Sequence, residues 1–578
     1  MAVLLPALIL VGTAAPHLGA PAFDPRGVPG VFEVYGLDFR PGGAWRTQTD
    51  RIRAARHRLL RNGDVGALNR SGGQSVEGSY TVPVLPIAYR NVPPPFPAEQ
   101  YQSVLFAHPP VSEPYSVRSY YAEASRGRLT LDGEVLGWVL ADSTDDYYED
   151  GCNGIGVLNS CPHLGIRFGE LLLEGLREAD NGTVDWGAFD NEGPDGMPNS
   201  GDDDGVVDFV VFLQPEVDGA CGGNANLWAH RYDVAAWNGG SPYVTRSPRR
   251  DAVGQPIPGS FVLVRDYTLQ SAVGGQGACA ADAIMPIGTL AHEAGHAFGL
   301  PDLYDTNLRS SSVTQGAGEW SIMGSGNYTM PYSPAGFDAW SLMELGWATL
   351  DTLGQSRSLG LGPVAEGDTV LLVPIANTDE YFLLENRQAI GSDSAQINSD
   401  CRFGTRSCAK GPGLLIWHID QGQVDAHGFS RDNRVNSGSI QGVALMQADG
   451  LNELRTPGGR NRGDAGDPWP GATGASLFSP ATNPPALDNQ GRDAGVVLDS
   501  IRELGPMGAV AFRFSVLPPG GVTLTLAWAT DELLGHPTLG PAQRAHLDSL
   551  GNGNGQYDVG DFLAYYRTQG QTAVRRGP

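Results

Sequence analysis

His292-Glu293-Ala294-Gly295-His296-Ala297-Phe298-Gly299-Leu300-Pro301-Asp302 is the stretch on which the reading turns. Apolar residues between Met285 and Phe298 recur at helical spacing and predict a helix over that span. On a helix, positions i and i+4 share a face, so the His292 and His296 imidazoles can bind one metal ion. Glu293 follows the first histidine directly. Gly299 can take the left-handed backbone that ends a helix, and Pro301 prevents its continuation. The chain can then turn back and present Asp302 to the same ion, although Asp305 is close enough in sequence to compete. Downstream, Ser321-Ile-Met-Gly324 has the form of a Met-turn, a bend that underlies such metal sites. With zinc the pattern supports hydrolysis: the ion acidifies a water, and Glu293 takes its proton as general base. A core helix with two satisfied histidines is the bland alternative. The ordered succession of ligand pair, base, turn glycine and Met-turn argues against it.

Bulk properties narrow the surroundings. A chain of 578 residues is too long for one hydrophobic core, so several domains are expected. Its net charge of −26 repels phosphate backbones and anionic lipid, which argues against nucleic-acid partners. No segment after the N-terminus is long and apolar enough for membrane insertion. Acidic excess suits calcium, which takes hard oxygen ligands. Abundant glycine (79) and proline (42) read as loop-rich and β-rich. Ala2 to Thr13 is almost wholly apolar and Ala20-Pro-Ala22 offers small residues, so 1–22 is expected to be a signal peptide of a secreted protein. No Lys or Arg precedes that apolar run, a departure from the usual signal. Cys152 and Cys161 flank a short loop, as do Cys401 and Cys408, which suits local disulfides in an oxidising compartment. Elimination would then pair Cys221 with Cys279, but sequence leaves connectivity among six open.

Along the chain, 23–77 is polar and arginine-rich, with one helical patch near Gln48–Arg61, and reads as a propeptide or spacer. Strands are expected at Thr81–Tyr89, Leu129–Leu140 and Val206–Leu213, and helices at Ser116–Ser125 and Gly165–Ala179. After about Leu350, short strands at Thr369–Pro374, Glu380–Glu385, Gly413–Ile419, Gly442–Met446 and Val510–Val516 signal a β-rich domain. His418, Asp420 and Asp449 lie in or beside these strands. His418 reads as a packed histidine, and none of the three is assigned to a site.

The chain resembles the immune inhibitor A-like family of secreted bacterial zinc metallopeptidases. Ser119-Tyr-Tyr-Ala-Glu-Ala-Ser-Arg-Gly-Arg-Leu129, His292–Asp305 and Trp320-Ser-Ile-Met-Gly324 carry the likeness. It continues through Glu380-Tyr-Phe-Leu-Leu-Glu-Asn-Arg387, Gly413–Asp420 and Gly463-Asp-Ala-Gly-Asp-Pro-Trp-Pro-Gly471. The resemblance implies peptide-bond hydrolysis in a metzincin-like domain, with His292, His296 and Asp302 as zinc ligands and Glu293 as the base. The expected fold is α+β: a metzincin-like zinc peptidase domain at 78–350, a β-rich, sandwich-like domain at 351–518, and a linker and short helical tail at 519–578. Tyr328 and Tyr332 lie near the Met-turn, but the tyrosine that several metzincin subfamilies keep two residues after the methionine is missing here.

Two acidic segments point to calcium. In Asp190–Asp208, glycines between dense carboxylates allow tight curvature, and Asp190, Asp195, Asn199, Asp202, Asp204 and Asp208 are the candidate ligands. A solvated acidic loop is the alternative. The tail resembles half of a dockerin or EF-hand loop, with Asn552, Asn554, Asp558 and Asp561 at ligand positions but Leu550 where an aspartate is expected. A calcium-stabilised module for cell-surface or scaffold attachment and a metal-free helical tail both fit. The function expected is a secreted zinc endopeptidase acting on extracellular proteins or peptides. The rivals are a zinc exopeptidase and a calcium-dependent binding protein with an inactive protease domain. Residues 23–77 contain no cysteine, so latency by a thiolate on the zinc is excluded, and a chain starting near Val76 is expected to be more active than the full chain.

Overall fold

The computed structural model describes residues 54–574 apart from 62, 71–74, 112–113, 157–160, 192, 194–196, 222–224, 276–278, 308–311, 329, 399–409, 429–431, 517–524, 537, 540–542, 545–546, 549–550 and 552–555. The fold is mixed α+β with several sheets. Residues 1–22, Asp195, the Cys401/Cys408 pair, Asn552 and Asn554 lie outside the described residues.

β1 (Gly78–Ala88) runs parallel to β2 (Leu129–Val135) and, further along, to β3 (Val139–Leu140). The strand expected over Leu129–Leu140 is thus two strands. Val206–Leu213 also divides: β4 (Val206–Val207) and β5 (Val210–Gln214) join different sheets, with the fully buried Asp208 between them. β6 (His230–Asp233), β7 (Tyr243–Arg250), β8 (Pro256–Val264) and β9 (Asp266–Ser271) follow. The main sheet has the order β2-β1-β5-β9-β6, parallel except for β6 at the edge, while β4, β8 and β7 form a separate sheet. The β7–β8 pair was not anticipated from sequence.

Both faces of the main sheet are covered. Val82 and Val84 of β1 and Val211 and Leu213 of β5 pack toward the helices Ala98–Phe106, Val117–Ala124 and Gly288–Ala297. Leu85, Ile87, Val210 and Phe212 pack toward the helix Ile166–Ala179. Burial on both faces explains why β1 reads as an unbroken apolar run. Ser116 starts the helix Val117–Ala124 through a reciprocal capping box with Ser119. In the helix Ile166–Ala179, Leu171, Leu172 and Leu176 are fully buried, but Ile166 in its first turn is 56% exposed. A short pair, β10 (Val273–Gly274) and β11 (Ala280–Ile284), leads into the helix Gly288–Ala297. The disulfides Cys152–Cys161 and Cys221–Cys279 are present.

The second half holds β12 (Thr349–Thr352), β13 (Arg357–Leu361), β14 (Thr369–Pro374), β15 (Glu380–Arg387), β16 (Gly413–Asp420), β17 (Val443–Leu445), β18 (Leu477–Phe478), β19 (Val496–Glu503) and β20 (Val510–Val516). They form two sheets, β12-β14-β15-β16-β17 and β13-β20-β19-β18. Leu371, Phe382 and Ile416 of the first meet Leu498, Phe512 and Phe514 of the second in one core. The alternate residues Leu372, Leu383 and Trp417 face the other way, into the core that contains the helix Gly288–Ala297. The β-rich part therefore shares a hydrophobic core with the first half. In the tail, Asp558 accepts from the amide of Gly560 and Asp561 from that of Asp558, so both cap the helix Val559–Val574. Among the described residues, no helix is long and apolar enough to cross a membrane.

The segment before β1 is built into this core. A helix at 54–61 and the helix Val65–Arg70 bring Leu59, Leu60, Val65 and Leu68 against it. His57 Nε2 lies 2.8 Å from Glu344, and the amide of Val76 donates to the Leu345 carbonyl at 2.9 Å. Asn69 exchanges two hydrogen bonds with the backbone of Leu350. These partners belong to the helix Ala339–Leu345 and to β12, not to the residues around His292.

Two predictions follow from this packing. Starting the chain at Val76 removes Leu68 and the half-buried Leu59, Leu60 and Val65 and uncovers the core they pack against, at roughly 1.5–3 kcal/mol for a fully buried side chain. That truncated chain should melt well below one starting at residue 54. Equal melting temperatures would show that the segment adds nothing. The second concerns Glu385, whose carboxyl burial pushes up to about 7 against the pull of the Arg387 guanidinium. A carboxyl raised in the folded state contributes stability below its unfolded value, and this is lost as pH rises through about 7. Glu385→Gln should therefore gain melting temperature relative to the parent between pH 5 and pH 8. A difference that does not change with pH would refute it.

Candidate metal centre

The helix Gly288–Ala297 is buried apart from the half-buried Thr289, and His292, Glu293 and His296 are each at most 1% exposed. Gly299 has φ +87°, the left-handed turn expected from the sequence, and its amide donates to the His296 carbonyl at 2.8 Å. The turn brings back Asp302, which is also fully buried. Its Oδ1 stands 3.1 Å from His292 Nε2 and 3.3 Å from His296 Nε2. One ligand atom from each of the three lies within 4.8 Å of the others.

The second nitrogen of each ring is fixed by the backbone. His292 Nδ1 is 2.7 Å from the Ile322 carbonyl, and His296 Nδ1 is 2.7 Å from the Leu300 carbonyl. A carbonyl can only accept, so Nδ1 carries the proton in both rings and each Nε2 offers its lone pair to the cluster. Burial pushes the His296 imidazole below its usual range, against the pull of Asp302. Burial alone would raise the Asp302 carboxyl, but His296 and His292 beside it hold it well below the ordinary carboxylate range.

The Met-turn lies beneath the helix. A Cβ at Gly295 would stand 2.5 Å from the Met323 sulfur, so glycine between the two histidines is what lets the methionine pack there. Ser321 Oγ donates to Asp338 at 2.6 Å and accepts from the Met323 amide at 3.1 Å, and Asp338 caps the helix Ala339–Leu345. Arg387 of β15 reaches across and donates to the Trp320 and Phe337 carbonyls at 2.9 and 2.8 Å. Trp320 Nε1 donates to Asp467 at 2.7 Å. Arg387 and Asp467 thus both support this turn through contacts that their local sequence does not signal.

The remaining candidates separate. Asp305 accepts from the amides of Asn307 and Thr314 at 3.0 and 3.1 Å, a loop-holding role, and Asp302 takes the place at the cluster. In the acidic loop, Asp190 and Asp208 are buried while Asp202 and Asp204 are exposed. The Asn199 side chain engages β7 instead, donating to the Pro248 carbonyl and accepting from the Arg250 amide. Asp203, absent from the expected set, is the buried one of its run and accepts from the Gly193 and Ser200 amides at 2.6 and 2.7 Å. Among the described residues, the metal-type clusters do not include carboxylates of this loop. His418 is packed against Glu380 at 2.8 Å, as expected. Tyr332 donates to the Ile284 carbonyl at 3.3 Å, away from the histidines' partners.

Comparison with known proteins places this geometry. Residues 92–345 match the family described as immune inhibitor A peptidase M6, catalytic domain. The pre-pro-metalloprotease PrtV of Vibrio cholerae serotype O1 is 27% identical over 257 residues, 42% of this chain and 25% of PrtV. Immune inhibitor A of Bacillus thuringiensis subsp. alesti is 28% identical over 246 residues, 40% of this chain and 32% of that protein. The matched stretch thus spans between a quarter and a third of these relatives. Over residues 92–345 the chain carries a peptidase M6 catalytic domain of the immune inhibitor A type, homologous to immune inhibitor A and to PrtV.

Proposed function

We propose that the protein is a secreted zinc endopeptidase with a metzincin-like centre, acting on extracellular proteins or peptides. One observation carries the reading: two Nε2 atoms and one carboxylate oxygen converge, with both Nδ1 atoms tied to carbonyls. Two imidazoles and one carboxylate are a donor set that suits zinc, and they leave a coordination position open. The Nδ1 contacts set the tautomers that a metal needs and fix the ring planes. Zinc, when bound, supplies Lewis-acid polarisation of the scissile carbonyl and an acidified water.

The chain's own residues do the rest. His292, His296 and Asp302 hold the ion. Glu293, one residue after the first ligand and at most 1% exposed, accepts a proton from the attacking water and returns it to the leaving amine. Burial strengthens each of these electrostatic interactions. The M6 match and the metalloprotease relative support the reaction class, and the two disulfides suit an oxidising, extracellular compartment. Calcium in the Asp190–Asp208 loop is part of the proposal, supported by two buried carboxylates, Asp190 and Asp208, at the two ends of that acidic segment.

Glu293→Gln should keep the metal and lose about 10²–10⁴-fold in peptidase activity, because an amide cannot accept the proton. Casein zymography with and without a chelator, beside metal analysis of the purified variant, checks this. A zinc-loaded variant that clears casein at the parent's rate would sink the mechanism. Clearing by the parent also separates an endopeptidase from an exopeptidase or an inactive binding protein. For calcium, the melting temperature of Glu293→Gln should rise when the ion is added, by linkage worth about 2.7 kcal/mol at one hundred times the dissociation constant. A melting temperature indifferent to calcium removes that part of the proposal.

A further inference from the structure

Asp302 is held from a direction that the matched domain does not supply. Asn433 Nδ2 donates to Asp302 Oδ2 at 2.6 Å, and the Asp302 amide donates to Asn433 Oδ1 at 2.8 Å. One side chain thus grips both the carboxylate and the backbone of the third ligand. Asn433 lies 131 residues along the chain, beyond the 92–345 segment that matches the M6 catalytic domain. We propose that Asn433 is the positioning residue that makes Asp302 a one-oxygen ligand, so that the β-rich half completes the metal centre.

The geometry gives three reasons. First, the grip on Oδ2 leaves Oδ1 as the oxygen that faces His292 Nε2 and His296 Nε2. A carboxylate without that partner is free to rotate and offer both oxygens. Second, Asn433 is itself fixed. It is 5% exposed, it sits at φ +57°, a left-handed conformation that asparagine tolerates, and its carbonyl accepts from Thr306 Oγ1 at 2.9 Å. Asn436 ties the same loop to both sides, donating to the Leu303 carbonyl and pairing with the backbone of Val443 in β17. Third, the site needs a donor and an acceptor on one short side chain. Only asparagine supplies both here: aspartate at 433 would set a second carboxylate against Asp302 Oδ2, and alanine would leave the buried oxygen without this donor. Partners that orient metal ligands in this way commonly govern metal affinity by 10–100-fold.

This inference rests on the metal-centre reading, and the test separates the two. The full chain is stripped of metal and titrated with zinc against a fluorescent chelator, as parent, Asn433→Ala and Asn433→Asp. Each variant should bind zinc about 10–100-fold more weakly than the parent. Loaded with cobalt(II), Asn433→Ala should show weaker visible absorption than the parent, because a released carboxylate adds an oxygen and raises the coordination number. A purely structural role would move the melting temperature of the metal-free chain without altering that spectrum. Should Asn433→Ala fail to fold, the isosteric Asn433→Asp carries the affinity comparison. Variants that match the parent in zinc affinity and in cobalt spectrum overturn the role of Asn433 and leave the centre standing. A parent that does not bind zinc overturns both.

Discussion

Asp302 is a carboxylate at zero exposure, shared between two imidazoles. An ionised group taken so far from water costs several kcal/mol unless its surroundings return the lost solvation. Here every direction contributes. The imidazoles face Oδ1, Asn433 holds Oδ2, and the turn made by Gly299 brings the carboxylate within reach of the histidine helix. The same demand passes outward, because each imidazole must present Nε2 and so must park its Nδ1 proton on a carbonyl. Ile322 and Leu300 supply those carbonyls, one from the Met-turn and one from the turn after the helix. Displacing either turn would rotate a ring.

That requirement explains why the two halves share a core. The Met-turn is flanked by carbonyls that Arg387 of β15 holds, and Trp320 before it is anchored on Asp467. Arg387 can do this because β15 belongs to a sheet buried on both faces, one toward the histidine helix and one toward the second sheet. Arg387 is 2% exposed and shares its charge between Asp393 at 2.7 Å and Glu385 at 3.2 Å. A sheet that merely followed the peptidase domain would have no reason to bury such a group at the boundary. The homologous segment ends at 345, yet Arg387, Asn433 and Asp467, all beyond it, touch the turns that carry the site.

The centre itself was legible because its parts are local. Histidines four residues apart, a glycine that breaks the helix and an aspartate three residues later need only helix and turn geometry. The strands at Thr369–Pro374 and Val510–Val516 were legible because their apolar, β-branched or aromatic runs lie between the breakers Asp368 and Asn377 and between Gly508 and Pro518. Asn433 was not legible. It stands in Asp432-Asn-Arg-Val-Asn-Ser-Gly438, whose composition reads as an ordinary polar loop. Its meaning comes from a contact made 131 residues away. The acidic loop was legible only in outline for a related reason: charge density does not say which carboxylates turn inward, and Asp203 does so while its neighbours Asp202 and Asp204 stay exposed. Asp208 also hid a break, since an aspartate within Val206–Leu213 was read through as part of one strand.

The charge distribution follows from the same constraint. The chain has 38 basic residues against 64 acidic ones, and several of the basic side chains are placed inside. Arg387, Lys410 and Arg231 are each at most 2% exposed. Lys410 pairs with the buried Glu319, whose amide donates to the Arg462 carbonyl one residue before Trp320. Arg231 pairs with Asp266 on the edge of the main sheet. Around the histidines, the buried acids Glu319, Glu385 and Asp393 already have cationic partners. Asp302 is the buried carboxylate whose oxygen stands against the two imidazoles, and Glu293 is its buried neighbour on the histidine helix.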